Sequence, residues 1–339
     1  MKTKKIISLL LALLLLTATI CLPSCGGGSR LYSEGTGELN IVCTNFPPFD
    51  FSRVVGGDKV TVTILQDNGA DLHSYAPTSN DIMTVKNADV LVCVGGVSDD
   101  SWLEGMLRSA ANPSLKVFKF TEHAELLPTP ETDSGHDHDE HEDADTEDDG
   151  HEHGESCEHD HAHDEHVWTS LKNAVSIVTA LADVFAEADS ANGDYYKANA
   201  ESYVEKLNAL DAQYVETVAN SSKKTVIFAD RFPFIYMPNQ YGLEYHAAFS
   251  GCSTESNASF ETTSRLIEAV NSRGASVILI TDVSPENAPA VANTVASSTG
   301  AKIMSMNSCQ AVTRSSIKDG ITYLGIMTEN LSVLAEALS

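Results

Sequence analysis

The sequence predicts an α/β protein made of two Rossmann-like lobes with parallel sheets, joined by one long backbone helix. Three observations carry this reading. Short apolar and β-branched runs alternate with helical patterns in the first half, the same alternation returns in the second half, and one uninterrupted amphipathic pattern lies between them.

In the first half the strand-like runs are Leu39 to Cys43, Lys59 to Leu65, Asp89 to Val94 and Lys116 to Phe120, with helical patterns near residues 80–88 and 101–111. Continuous apolar strands with intervening helices suit a parallel sheet covered on both faces. A second set follows, Thr225 to Ala229, Glu244 to Ala248, Ser276 to Thr281 and Lys302 to Met306, separated by helical patterns near 260–273 and 286–299. Between the sets Tyr196, Ala200, Tyr203, Leu207, Leu210, Tyr214 and Val218 recur at steps of four and three, which predicts an amphipathic helix over 194–222. At 1.5 Å rise per residue, about 25 residues reach about 37 Å, enough to run the length of a lobe and lead into the next. An ordinary surface helix within one domain would carry the same stripe.

At the N-terminus Lys2, Lys4 and Lys5 precede an apolar run from Ile6 to about Ile20, the order of a secretory signal. The run is short of the ~20 residues that span a bilayer, so cleavage is expected rather than a permanent anchor. Leu22-Pro23-Ser24-Cys25, followed by Gly26-Gly27-Gly28-Ser29, resembles a bacterial lipobox, in which the cysteine is acylated and becomes residue one. The expected organisation is a signal peptide over 1–24, a lipidated tether over 25–38, an N-terminal lobe over 39–193 that carries an acidic histidine-rich loop at 131–165, the helix over 194–222, and a C-terminal lobe over 223–339. The implied location is extracytoplasmic, held to a bacterial membrane by the lipid.

The formal charge is -27, but residues 131–165 hold 17 of the acidic side chains and no Lys or Arg, which leaves -10 for the remainder. Such a body has no basic footprint for nucleic acid and favours cations as partners. Of seven cysteines, Cys21 leaves with the signal and Cys25 takes the lipid, so an odd set remains: Cys43, Cys93, Cys157, Cys252 and Cys309. At least one thiol is then free. Cys43 and Cys93 sit in apolar runs and read as core, with a bridge between them left open.

From Gly135 to His166 the chain reads GHDHDEHEDADTEDDGHEHGESCEHDHAHDEH. His136, His138, His141, His151, His153, His159, His161 and His163 stand there among carboxylates, with almost no apolar residue, so the loop is expected to stay disordered and to bind metal weakly through many alternative sets. Imidazole suits zinc, copper and nickel, and the surrounding carboxylates keep the potential attractive to cations.

Three further stretches join the tract: Asp71-Leu72-His73-Ser74-Tyr75-Ala76-Pro77-Thr78, Glu165-His166-Val167-Trp168 at the start of a helix, and Phe228-Ala229-Asp230-Arg231-Phe232-Pro233-Phe234. Taken in this order, with two lobes and a long helix, the chain resembles the zinc and manganese solute-binding proteins of ABC importers over nearly its whole mature length. The resemblance implies capture of zinc between the lobes, delivery to the permease and ATPase of an importer, and a monomer. It implies His73 and His166 as the first two ligands. The family's third position falls on Ala229, which cannot bind metal, with Asp230 beside it as a substitute whose alternative role is an ion pair with Arg231 or a helix cap. The fourth falls near Asn307-Ser308-Cys309-Gln310, where there is no carboxylate or histidine; His246 and Asp282 are reserves, and water can fill an open zinc position. The resemblance also implies a bridge between Cys252 and Cys309.

Two other classes compete. A metallohydrolase would need a general base beside an open coordination site, and the chain has no HExxH pair and no GxSxG nucleophile motif. An extracellular metal buffer would act mainly through the tract. Nitrogen-rich ligation favours zinc over manganese, although copper or nickel satisfies the same chemistry. For the anchor the expectation is direct: Cys25→Ala abolishes lipid labelling and releases the protein from membranes, and a wild-type protein that carries no labelled lipid would refute it.

Overall fold

The computed structural model describes residues 31–67, 69, 75–129, 163–251, 253 and 257–339. The signal segment, Cys25, His73, the tract histidines from His136 to His161, and Cys252 lie outside the described residues.

The first sheet contains β1 (Tyr32–Glu34), β2 (Leu39–Cys43), β3 (Val60–Ile64), β4 (Val90–Cys93) and β5 (Lys116–Lys119) in the order β1-β3-β2-β4-β5. All neighbours are parallel except β1, which runs antiparallel to β3 at the edge. Part of the segment expected to be free tether is therefore strand: Ser33 and Thr63, cross-strand neighbours in the ladder, join hydroxyls at 2.7 Å. A three-residue edge strand has too little alternation to announce itself in sequence.

The second sheet contains β6 (Thr225–Phe232), β7 (Glu244–Ser250), β8 (Val277–Thr281) and β9 (Lys302–Met306), all parallel, in the order β7-β6-β8-β9. Helices α1 (Phe46–Gly56), α2 (Ser79–Lys86), α3 (Val97–Ala110) and α4 (Leu171–Ala188) belong to the first half, and α5 (Gly193–Asn220) is the long connector. The second half adds α6 (Tyr236–Tyr241), α7 (Phe260–Arg273), α8 (Ala290–Thr299), α9 (Arg314–Lys318) and α10 (Tyr323–Ala337). Helix α1 opens with Pro47 and Pro48, where a missing N–H has no intrahelical partner to lose, and buries Phe46, Phe49, Phe51 and Val55.

The connector has the expected face. Its buried side chains include Tyr196, Ala200, Tyr203, Leu207, Leu210, Tyr214 and Val218, the same seven that set the sequence period. It packs along α4 and against α1 and α10, and the Tyr214 hydroxyl donates to the Met327 carbonyl at 2.6 Å. The stripe is thus a core face shared by both halves, and not the skin of one.

The two lobes share one apolar core. Ile41, Val62 and Val92 of the first sheet and Val226, Phe228 and Leu279 of the second fall in a single cluster with the connector. The strands of the second sheet put alternate residues on opposite faces, so Ile227, Ala229, Ile278 and Ile280 point into a separate core that includes Leu266 of α7 and Val295 of α8. Polar ties cross the seam as well. Asp50, fully buried, accepts the Tyr323 N–H at 2.8 Å and pairs with Arg53, whose guanidinium also donates to the Ile321 carbonyl at 3.1 Å. Burial raises the Asp50 pKa, and Arg53 and the Tyr323 N–H pull against that rise.

Leu207, fully buried at the centre of the connector's stripe, tests the shared core. Leu207→Ala should cost about 2–5 kcal/mol in a urea titration, the usual cost of a cavity at a buried leucine. A loss below about 1 kcal/mol would mean that the stripe bears little of the fold.

Candidate metal centre

The lobes meet just after the tract. Pro128 and His163 form an antiparallel bridge, and the Asp164 N–H donates to the Leu127 carbonyl at 2.9 Å. Tyr236, from the second lobe, donates its hydroxyl to the Asp164 carbonyl at 2.5 Å and accepts the Leu127 N–H at 3.2 Å. The residues that flank the tract therefore sit side by side, so His163 belongs to a strand pair as well as to the histidine run.

From Asp164 to Ser170 every residue is buried. The Trp168 indole donates to the Ser308 carbonyl at 2.7 Å, and the Tyr323 hydroxyl donates to the Trp168 carbonyl at 2.6 Å. Between these anchors His166 has no exposed surface. One Asp164 carboxylate oxygen accepts both the His166 backbone N–H and its Nδ1–H, each at 2.9 Å. That contact favours the neutral tautomer with its proton on Nδ1, which leaves the ring's lone pair on Nε2. Burial alone would favour the neutral ring, but the Asp164 carboxylate outweighs it, helped by Glu165, and the His166 pKa is raised.

Nε2 faces the second lobe, 3.2 Å from the Gln310 side-chain oxygen. The ring's Cε1 edge faces Gly251, at the end of β7: a Cβ built there would stand 2.9 Å from His166 Cε1 and 2.9 Å from Pro233 Cα. A side chain at 251 would push the imidazole out of place, so glycine is required by this approach. His166 therefore lies against carboxyl ends of strands in the second lobe, the usual position of ligands in parallel sheets.

The other sequence candidates fall differently. Asp230 sits where β6 slips in register between Phe228 and Arg231; its carboxylate accepts the Thr281 N–H at 3.0 Å and the Arg231 N–H at 2.8 Å. It closes a gap between β6 and β8, and burial raises its pKa, with the charge of Arg231 and the two N–H groups pulling against that rise. Ala229 is fully buried in the core beneath α7 and α8. His246 is partly buried beside Ile227 in β7, four residues before the strand's end. Asp282, in the left-handed region at φ 60, accepts the Ser308 N–H at 2.6 Å and receives the Ser308 hydroxyl, so it shapes the loop after β9. Cys309 is a buried free thiol, as are Cys43 and Cys93, while Cys252, its expected partner, lies outside the described residues. Among the described residues no group of three or more His, Cys, Asp or Glu is placed to hold a metal ion, and His73 is not one of them.

Residues that the sequence reading missed complete the arrangement. In the sequence Asp164 is one more acid of the tract, and Gln310 is neither a carboxylate nor an imidazole. Glu165, another tract acid, caps the start of α3, accepting the Ser98 N–H at 2.9 Å and the Ser98 hydroxyl. A Cβ on Gly96 would lie 2.4 Å from the Glu165 side chain, so this approach too depends on glycine. Position relative to strand ends was the available signal: Gln310 follows β9 by four residues.

Two parallel α/β lobes with a buried, oriented imidazole at their seam define a two-lobed ligand-binding protein. The chain belongs to the family of zinc-uptake complex component A, periplasmic, whose pattern it matches over residues 41–337. It is 29% identical over 326 residues to the zinc-binding lipoprotein AdcA of Streptococcus pneumoniae, an alignment covering 95% of this chain and 60% of that one. It spans only that part of the relative's length. To the high-affinity zinc uptake system protein ZnuA of Bacillus subtilis it is 27% identical over 317 residues, 93% of each chain. Among solved structures, the Zn(II)-bound ZnuA-like domain of Streptococcus pneumoniae AdcA superposes with a TM-score of 0.68 at 25% identity, over 89% of this chain and 99% of that one.

Asp99 gives the site's surroundings a pH signature. Burial, opposed by the Gly95 N–H and reinforced by Glu165, raises its pKa to about 6, and one of its oxygens has no hydrogen-bond partner among the described residues. A carboxyl whose folded pKa is raised stabilises the fold fully below the unfolded value of about 3.9 and loses that contribution as pH rises through the folded one. Asp99→Asn should therefore raise the melting temperature relative to wild type at about pH 7.5, with the gain shrinking as pH falls from about 6 to about 4. A pH-independent difference would show that Asp99 is not the titrating group.

Proposed function

We propose that the protein captures zinc at the seam between its lobes and hands it to the permease of an ABC importer, while a lipid on Cys25 holds it at the outer face of the membrane. The observation that carries this reading is His166: fully buried, oriented through Asp164, and aimed with its metal-binding nitrogen at the second lobe. Family membership supports the same reading. His73 is the second proposed ligand. Both histidines belong to the first lobe and His166 faces the second, so an ion bound there bears on the contact between the lobes, and its release frees that contact, which is what a delivery protein requires. The protein carries out no chemistry on its cargo.

Ordered ligands have lost their conformational freedom during folding, so a metal bound at the seam avoids the ordering cost that ligands on a segment with almost nothing to bury must meet. The tract then serves as a weak store at the rim. Its flanks at Pro128 and His163 stand side by side, so residues 131–162 can be replaced by a short Gly/Ser link without pulling on the seam.

Titration calorimetry on that shortened protein should show one tight zinc equivalent, and the His73→Ala, His166→Ala double variant should lack it. The tight equivalent surviving in the double variant would place the site elsewhere, and its loss with the tract alone would favour the metal-buffer reading. Zinc takes the unprotonated ring and Asp164 raises the His166 pKa, so affinity should weaken as pH falls from about 8 to about 6.

A further inference from the structure

We propose that Arg314 is a positioning residue for the zinc site: its ion pair with Asp67 clasps the rim of the seam and sets how slowly a bound ion leaves. The inference rests on the seam being the zinc site and adds the contact that holds the two lobes together beside it.

The pair joins two loops that leave the carboxyl ends of strands in different lobes. Asp67 follows β3 by three residues, and Arg314, at the start of α9, follows β9 by eight. Arg314 sets both Nε and Nη2 on one Asp67 carboxylate oxygen, and its backbone N–H donates to the Asp67 carbonyl at 2.6 Å. Side chain and main chain thus grip the same residue, a more exacting fit than a single charge contact. Gly69 lets the loops lie close. Its φ of 72 is in the left-handed region, and a Cβ there would stand 3.0 Å from Thr313 Cγ2 and 3.3 Å from the Ala311 carbonyl oxygen.

Both loops lead to the site. Gln310, four residues before Arg314, has its side-chain oxygen 3.2 Å from His166 Nε2, and His73 follows Asp67 by six residues. An ion at the seam that favours contact between the lobes therefore stabilises the clasp, and by reciprocity the clasp stabilises the bound ion to the same extent.

The clasp differs from the tie that Asp50 and Arg53 make to the second lobe. The Asp50 side chain has no exposed surface, so parting it from Arg53 and the Tyr323 N–H would leave a charge in the core without partners. The Asp67 and Arg314 side chains are 11% and 34% exposed, and water reaches both charges once they separate. The lobes therefore part first at the clasp while the buried tie keeps its hold. Because the pair meets solvent, salt screens it.

The test uses the full chain loaded with one zinc equivalent, with release read by stopped-flow mixing into excess chromophoric chelator. Arg314→Met, which keeps an apolar stem and removes the guanidinium, should speed the slow release about three- to fivefold while leaving the association rate within about twofold of wild type. Raising salt from about 0.05 M to about 0.5 M should speed release in wild type more than in Arg314→Met, a response that a merely structural arginine would not produce. Asp67→Asn should act like Arg314→Met, and the double variant should release zinc no faster than the faster single variant, because both remove one contact. A wild-type release rate in Arg314→Met, or effects that multiply in the double variant, would overturn the proposal; should Arg314→Met fail to fold by circular dichroism, a wild-type rate in Asp67→Asn would do the same. His166→Ala in parallel separates the two readings. Its loss of the slowly released equivalent beside an unaffected Arg314→Met removes only the clasp, whereas an unaffected His166→Ala removes the seam site.

Discussion

The structure depends on one buried segment, Asp164 to Ser170, wedged between the lobes. Trp168 is fully enclosed and exchanges hydrogen bonds with Ser308 and Tyr323 of the second half, so the largest side chain at the seam is also polar-satisfied there. An unsatisfied indole N–H in such a place would cost on the order of 1–3 kcal/mol, and these partners remove that cost. Everything that matters at the site follows from where this wedge sits. It carries His166 into the second lobe, sets Glu165 on the start of α3, and returns the chain to α4 through the Ser170 cap.

Two glycines make the wedge fit. Gly96 leaves room for Glu165 and Gly251 leaves room for the His166 ring, each against a Cβ position closer than real side chains allow. Close approach is therefore built from both lobes, and the lobes cannot be treated as independent bodies joined by a rod. The single core agrees: the connector's buried stripe lies among residues of both sheets.

Charge is distributed with a similar division of labour. The tract concentrates carboxylates and histidines on a segment with almost nothing to bury, whereas Asp164 and Glu165, its last two acids, are both 1% exposed and hydrogen-bonded. A run that reads as uniform in sequence thus ends inside the protein. The change occurs where the Pro128 and His163 bridge begins, because backbone pairing there meets the cost of taking the chain out of water.

The sequence by itself determined what depends on local pattern. Strands from Leu39, Val60, Val90, Lys116, Thr225, Glu244, Val277 and Lys302 appear within a residue of their expected starts, and the connector buries the seven residues that define its period. Burial against neighbours imposes periods of two or 3.6 on each element, so those elements can be read without knowing the neighbours. The same holds for His166, whose place before an apolar helix puts it on a lobe rim. Tertiary structure alone decided the roles of Asp164, Gln310, Asp230 and Asp282, because each is set by a partner far away in the chain or by a turn with no period. Gln310 meets a histidine 144 residues earlier, and Asp230 meets an amide 51 residues later. A side chain's chemistry is written at its own position, but whether it binds a metal, closes a sheet or aims another side chain depends on what folding brings within about 3 Å of it.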